Sequence, residues 1–449
     1  MDFLLKKLLP DTATVSPEGM LHICGYSIKN LAQTYGTPLY VFDRATIVNA
    51  CQSYLRAFRE QYHASAVRVL YASKAYLSPL VAALVAEQGL GLDVVSGGEL
   101  LVARRAGVPM ERVSFHGNNK SEDELRLALR LGVGRIVLDN WSDLERLTRI
   151  VREGEAEGKQ PGVLLRVAPG VYADTHRYLQ TGHAASKFGF PLLDGEAKAA
   201  ALRILNEGQL RLLGLHAHSG TMLRETRPHQ ETLQRLLELA GELHEQTGWW
   251  PVEISPGGGW AIDTPDNVTT PGVEVLARTL QQTMVRGMEA IGAVGEALPA
   301  PELIVEPGRS IIARAGVAVY RVGARKPTAG GVTYIFVDGG MADNIRPALY
   351  GAVYTAIAAE RVTATPEEEV CVSGRYCESG DLLIEKVMLP RMREGELLAL
   401  PTVGAYCLPM ASNYNLVPRP AALLVDEQDA RVMERRETYD DLLARYPEQ

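Results

Sequence analysis

Cysteine is scarce in this chain of 449 residues: Cys24, Cys51, Cys371, Cys377 and Cys407 are the whole set, and no two form a CxxC pair. Neither a disulfide framework nor a zinc knuckle is suggested, and a reducing, cytoplasmic setting fits best. No stretch approaches 18 uncharged apolar residues, so no membrane-spanning helix is expected. The opening MDFLLKKLLPD is too short and interrupted for a signal peptide, and no small-residue cleavage site follows it. Positive charge is not in excess either: 46 Lys and Arg face 54 Asp and Glu, a net charge of −8. That argues against coating nucleic acid or an anionic membrane, and leaves room for a local basic pocket. Internal repeats, low-complexity tracts and a G-x-G-x-x-G fingerprint are also missing.

What is present is an apolar fraction of 46% beside 22% charged residues, enough for a sizeable core and against disorder. At roughly 150 residues per domain, the length suggests two or three domains, or one large barrel with an appendage. Glycine, at 42 residues, exceeds the usual share of about 7%.

Short β-branched runs alternate with helical patterns through the first two thirds. The runs are VRVLYA (67–72), LDVV (92–95), VSFH (113–116), RIVL (135–138), VLLRV (163–167), LLGLH (212–216), VEIS (252–255) and ELIVE (302–306). Ser78-Pro79 opens one helix, with Leu77, Leu80, Val81, Leu84 and Val85 at helical spacing. Ser121 with Glu124, and Ser142 with Glu145, read as capping boxes, the second before the stripe Leu144, Leu147, Ile150, Val151. Eight strands with seven helices between them predict an α/β fold, a (β/α)8 TIM-like barrel over 45–310. After Pro307 the runs VAVYRV, VTYIFVD, VCV, DLLIEKV, ELLAL and AALLV predict a mainly β C-terminal domain. TPLYVFD (37–43) is expected to add a strand to it, so 1–44 and 311–449 form the second domain. Glu360–Glu369 reads as a solvated loop, and the charged tail after Asp426 as peripheral helix.

Reacting groups of such a barrel belong at the C-terminal ends of its strands, and polar residues collect there. Lys74 in YASKA suits a Schiff base if burial lowers its pKa, and is otherwise a snorkelling surface lysine. SPGGGW (255–260) places Gly257, Gly258 and Gly259 after a strand, as a phosphate cradle or a flexible turn. EPGR (306–309) sets Glu306, an acid for a ring nitrogen, beside Arg309, a grip for carboxylate or phosphate; a structural ion pair is the alternative. His218 could stack on an aromatic cofactor and Thr221 donate to its phosphate, or His218 is a satisfied core histidine. His216 points to the same side of an extended strand, but the spacing does not suit a zinc pair and no third ligand is apparent, so no metal is expected. In the β region, CESGD (377–381) carries Cys377, a possible proton donor or a small buried hydrophobe, beside Glu378. Arg346 and Tyr350 share a face if IRPALY is helical, and Tyr406 lies in GAY. A lysine, a glycine loop and an acid for a ring nitrogen together imply pyridoxal 5'-phosphate.

The blocks YASKA, LDVVSGGEL, HGNNKS, PGVYADTHRYLQTGHAASKFGF, GLHAHSGT, EPGR, GGMADNIRPALYGA, CESGD and GAYCLPMASNYNLVPRPA resemble diaminopimelate decarboxylase over about residues 20–425. The resemblance implies an alanine-racemase-like barrel plus β domain, and decarboxylation of meso-diaminopimelate to L-lysine and CO2. It implies that Lys74 carries pyridoxal phosphate as a Schiff base, Glu306 keeps the pyridine nitrogen protonated, and His218 stacks on the ring. Thr221 and Gly257–Gly259 would hold the phosphate, and Tyr406 would touch cofactor and substrate. Arg309, Arg346 and Tyr350 would bind the distal carboxylate of the substrate, Glu378 its distal ammonium, and Cys377 would protonate the carbon that loses CO2. It also implies a homodimer in which Cys377 and Glu378 serve the neighbouring site. The chain departs from the pattern at Ala185, Ala342 and Gly351 and in the SPGGGW loop. The other readings are a decarboxylase of ornithine, arginine or a D-amino acid, and a non-catalytic cofactor-binding protein.

Overall fold

All eight runs expected as barrel strands are strands in the computed structural model, which describes residues 3–62, 67–155, 160–171, 186–292 and 298–447. They are Val67–Ala72, Gly91–Val94, Val113–Phe115, Arg135–Leu138, Gly162–Ala168, Arg211–His216, Glu253–Gly257 and Glu302–Val305. Each pairs in parallel with the next, and Glu302–Val305 pairs back onto Val67–Ala72, closing the ring. Parallel neighbours need a crossover. Seven helices supply it: Pro79–Glu87, Gly97–Arg105, Glu122–Leu131, Trp141–Ile150, Glu196–Glu207, Arg227–Thr247 and Val273–Ala290. Leu70, Val137, Leu164, Leu213 and Ile304, from five different strands, pack into one buried cluster, which can only be the barrel interior.

Local signals explain where helices start. Ser78 accepts the Val81 N–H, and Ser121 with Glu124 forms both bonds of a capping box. The box expected at Ser142 and Glu145 does not form. Asn140 caps that helix instead, accepting from the Asp143 N–H, and the helix begins two residues earlier than expected. The stripe is unaffected, since Leu144, Leu147 and Ile150 are buried.

The chain divides into two compact units: Cys51–Ala261 with Pro271–Gly308, which holds the barrel strands, and Met1–Ala50, Ile262–Thr270 and Arg309–Gln449. The second unit is a largely antiparallel sheet. Its strand order is Leu382–Leu389, Glu368–Ser373, Thr333–Val337, Gly316–Pro327, Leu39–Asp43, Ala421–Val425 and Ala430–Glu434. Leu397–Pro401 pairs with Gly316–Pro327 as well. The N-terminal run at 37–43 thus does contribute a strand, antiparallel to Gly316–Pro327 and parallel to Ala421–Val425. Alternate residues Leu39 and Val41, Val317 and Val319, Leu397 and Ala399 meet in the core of this unit. The tail departs from expectation, because Ala430–Glu434 is a strand and only Tyr439–Leu443 is helical. Asp426 accepts the N–H groups of Gln428 and Asp429, and this turn folds the tail back as a hairpin.

At the opposite end of the barrel strands from the polar residues singled out above, charges close the barrel. Arg135 donates to Glu253 through Nε (2.8 Å) and Nη2 (2.7 Å), while Arg68 reaches Glu253 (3.4 Å) and Glu302 (2.7 Å). Arg135 and Glu253 are buried, so removing one leaves an uncompensated charge. Glu253→Ala is expected to cost about 3–5 kcal/mol in urea unfolding, where a loss below about 1 kcal/mol would show that water compensates Arg135.

Candidate active site

The closed ring brings one or two polar residues from most of its strands to the same end. Lys74 lies in the single helical turn Ser73–Ala75 after the first strand, its Nζ 3.7 Å from Asp93 Oδ2 of the second. His116 follows the third strand, and its Nε2 is 3.6 Å from both Asp93 Oδ1 and Glu306 Oε1. His216 ends the sixth, with Nε2 2.9 Å from Glu306 Oε2, and Ser255 Oγ donates to Glu306 Oε1 at 3.2 Å. The two imidazoles meet edge to face at 4.9 Å. Arg166, from the fifth strand, pairs with Asp139 at 3.3 Å.

Burial alone would raise the carboxyl pKa of Glu306, but the His216 and His116 imidazoles beside it bring it below the ordinary value. His116 is held far below the usual imidazole value by burial, and so is His218, with Lys74 adding to the effect. Glu306 therefore stays anionic despite its burial. His116 Nε2, His216 Nδ1 and Asp93 Oδ1 are buried without a hydrogen-bond partner. His116, His216 and Glu306 also bring three ligand-type atoms within 4.8 Å of one another.

The glycine loop lies against this cluster. Gly257 and Gly259 have φ of +81° and +94°, where side chains are strained. A Cβ on Gly258 would lie 1.9 Å from Glu306 O, and one on Gly259 would lie 2.0 Å from Gly220 O and 3.4 Å from Thr221 Cα. Gly258 donates its N–H to His218 Nδ1 (3.2 Å), and its carbonyl lies 2.9 Å from His229 Nε2. This packed cradle, the buried carboxylate and the unpaired polar atoms fit a group carrying both a phosphate and a basic ring. Lys74 stands at the strand end with its side chain about half exposed.

Four further candidates form a cluster in the β unit. Arg309 begins the helix Arg309–Ile312 and lies over the Tyr406 ring at 4.6 Å. Arg346 opens the helix Arg346–Tyr350, so Tyr350 does fall on its face, and it lies 5.5 Å from the Tyr350 ring and 5.6 Å from that of Tyr406. Burial, then the neighbouring Arg346, pulls the Arg309 pKa down to about 10. No carboxylate pairs with either guanidinium among the described residues, and Arg309 Nε has no hydrogen-bond partner. Cys377 and Glu378 are exposed. Asn415 Oδ1 accepts the Cys377 N–H at 3.0 Å, and the Tyr414 hydroxyl donates to its carbonyl at 3.4 Å. Of the departures, Gly351 closes its helix at φ +60°, a position that suits glycine. Ala342 is buried, and Ala185 lies outside the described residues.

Asp93, His116, Arg166 and Ser255 were not singled out by the sequence, although all but Asp93 stand at or next to the last residue of a strand-like run. Residues 44–313 match the family of the pyridoxal-dependent decarboxylase, pyridoxal binding domain. The chain is 40% identical over 440 residues to the diaminopimelate decarboxylase of Bacillus subtilis, covering 97% of each, and 38% identical to that of Mycobacterium tuberculosis, covering 98% of each. The chain belongs to the diaminopimelate decarboxylase family. The crystal structure of diaminopimelate decarboxylase from M. jannaschii in co-complex with L-lysine superposes with a TM-score of 0.90 at 31% identity, covering 98% of both chains. The family's cofactor is pyridoxal phosphate, which the barrel cluster suits.

The buried His229 carries a pH prediction. Burial lowers its pKa to about 4, while its contact with the Gly258 carbonyl acts the other way. The unfolded chain protonates this ring near pH 6.5 and the native state does not, so stability falls as pH drops from about 6.5 to 4. The urea midpoint of His229→Gln is expected to depend less on pH across that window, and an unaltered slope would show that His229 does not contribute to it.

Proposed function

We infer that this protein decarboxylates meso-2,6-diaminopimelate to L-lysine and CO2, with pyridoxal phosphate, in lysine biosynthesis. The observation that carries the choice of substrate is the pair of buried guanidiniums, Arg309 and Arg346, which no carboxylate among the described residues neutralises. Two buried charges of one sign are unfavourable unless an anion joins them. A distal carboxylate is that anion, and meso-diaminopimelate has one; ornithine, arginine and other amino acids with a single carboxylate have none to spare.

In this proposal Lys74 holds the cofactor through its amine, Gly257, Gly258, Gly259 and Thr221 receive the phosphate, and Tyr406 contacts cofactor and substrate. The anionic Glu306 faces the ring nitrogen and favours its protonated form. A stacking role is expected of His218; since its Nδ1 faces Gly258, we place it toward the phosphate end and give His216, which touches Glu306, the ring contact. When bound, the cofactor supplies a sink for the electron pair released as the carbon–carboxyl bond breaks. Arg309, Arg346 and Tyr350 hold the distal carboxylate, and Glu378 takes the distal ammonium. Cys377 donates a proton to the carbon that has lost CO2. The domain division at 45–310 belongs to this reading, as does a homodimer in which Cys377 and Glu378 serve the neighbouring copy, an arrangement their exposure supports. A cytoplasmic location accords with five unbridged cysteines. Among the described residues no helix is long and apolar enough to cross a membrane.

Product analysis of purified protein with meso-diaminopimelate, ornithine, arginine and lysine side by side tests the reading. Lysine formed from the first alone is the expected result, and turnover of ornithine without diaminopimelate would overturn it. Lys74→Ala is expected to lose the visible absorption of the bound cofactor, where an unaltered spectrum would remove Lys74 from its role. Cys377→Ala is expected to keep that spectrum while turnover falls on the order of 100-fold or more.

A further inference from the structure

We propose that Tyr354 and Cys407 are positioning residues that set how tightly the substrate's distal carboxylate is held, acting through Arg346. The inference rests on the diaminopimelate reading above and deepens it. Arg346 Nε donates to the Tyr354 hydroxyl at 3.0 Å. The Tyr354 hydroxyl lies 3.6 Å from Cys407 Sγ, and Cys407 Sγ lies 3.4 Å from Asn344 Oδ1. Asn344 Oδ1 also accepts the backbone N–H of Arg346 at 3.4 Å.

These four contacts close on themselves. A guanidinium has only donors, so the Tyr354 oxygen must accept from it, and its single proton is then free to point at the Cys407 sulfur. The thiol in turn has one proton, and the carbonyl of Asn344 is the nearer of its two acceptors, Ala405 O being at 3.7 Å. The donors thus run with one polarity from the Arg346 side chain to Asn344 Oδ1, which accepts both the Cys407 thiol and the Arg346 main-chain N–H. The ring fixes the guanidinium against its own backbone, in a place where no acid among the described residues does so. All four members are buried, so water cannot substitute for a missing link. Burial keeps the Cys407 thiol protonated, its pKa raised to about 11, as a donor must be.

The same ring reaches the aromatic floor of the clamp. Cys407 follows Tyr406, whose ring lies under both arginines and whose φ is +62°, a region a bulky residue seldom adopts. Holding the next residue by its sulfur helps to keep Tyr406 there. Asn344 is steadied from its other side, since the preceding Asp343 accepts from the Tyr40 hydroxyl at 3.1 Å and from that of Tyr320.

Tyr354→Phe keeps the ring in the core and removes only the hydroxyl. In the holoenzyme it is expected to raise KM for meso-diaminopimelate about tenfold while kcat changes less than about threefold, the size of effect that one buried charge-assisted hydrogen bond supplies. L-lysine retains the distal carboxylate and cadaverine lacks it. Inhibition by L-lysine is therefore expected to weaken by the same factor, and binding of cadaverine to stay as in the wild type. Cys407→Ala, one link further on, is expected to move both quantities in the same direction by about threefold, and it reads the ring if Tyr354→Phe does not fold. Unaltered KM and lysine inhibition in the folded variants, or equal weakening for lysine and cadaverine, would overturn the proposal. A wild-type enzyme that does not turn over diaminopimelate would refute the parent reading. Titration calorimetry of lysine against cadaverine would then still decide on the ring.

Discussion

Glu306 holds the barrel site together through its side chain and its main chain at once. Its carboxylate receives His216 and Ser255, and His116 stands beside it. Its N–H bonds the Gly257 carbonyl, and its own carbonyl leaves no room for a side chain on Gly258. The polar cluster and the glycine loop are therefore fixed relative to one another by a single residue. The closed parallel barrel makes this possible, because it brings the ends of sequence-distant strands within a few ångströms. A carboxylate at this depth would ordinarily take up a proton. The imidazoles around it keep it charged, and a charged acid is what a protonated ring nitrogen needs.

The β unit solves a different electrostatic problem. Arg309 and Arg346 repel one another, lie over one tyrosine ring, and have no acid partner among the described residues. Cation–π contact offsets part of that cost. In the proposed reading the remainder is the drive to bind an anion, and it is also the basis for selecting among amino acids. A buried site built for a carboxylate rejects a ligand that lacks one, since its donors are then left unpaired. Binding and specificity thus come from the same imbalance.

Much of this was legible in the sequence. The eight barrel strands could be read because they are apolar on both faces and separated by capped helices, and Lys74, Glu306 and the glycines could be read because they follow such runs directly. Asp93, His116 and Arg166 are single polar residues in otherwise ordinary strands, and only barrel closure shows that they converge. Asn140 capped a helix expected to begin at Ser142 because both residues are good caps, and local pattern does not choose between them. The strand at Ala430–Glu434 was missed since its exposed, charged face carries no alternation, and the Asp426 turn decides it. Tyr354 and Cys407 gave no signal, because their role lies in hydrogen bonds spanning 8 to 63 residues of sequence.

The central claim is that one carboxyl of a two-ended substrate is replaced by a proton while the other is held fast. The most direct test is turnover of meso-diaminopimelate carrying carbon-13 in both carboxyls, run in deuterated water and followed by NMR and mass spectrometry. The account predicts labelled CO2 in equal amount to lysine that keeps its remaining labelled carboxyl and gains one deuterium at the carbon that lost the other. Labelled CO2 released from both ends, with cadaverine as product, or no labelled CO2 at all, would contradict it.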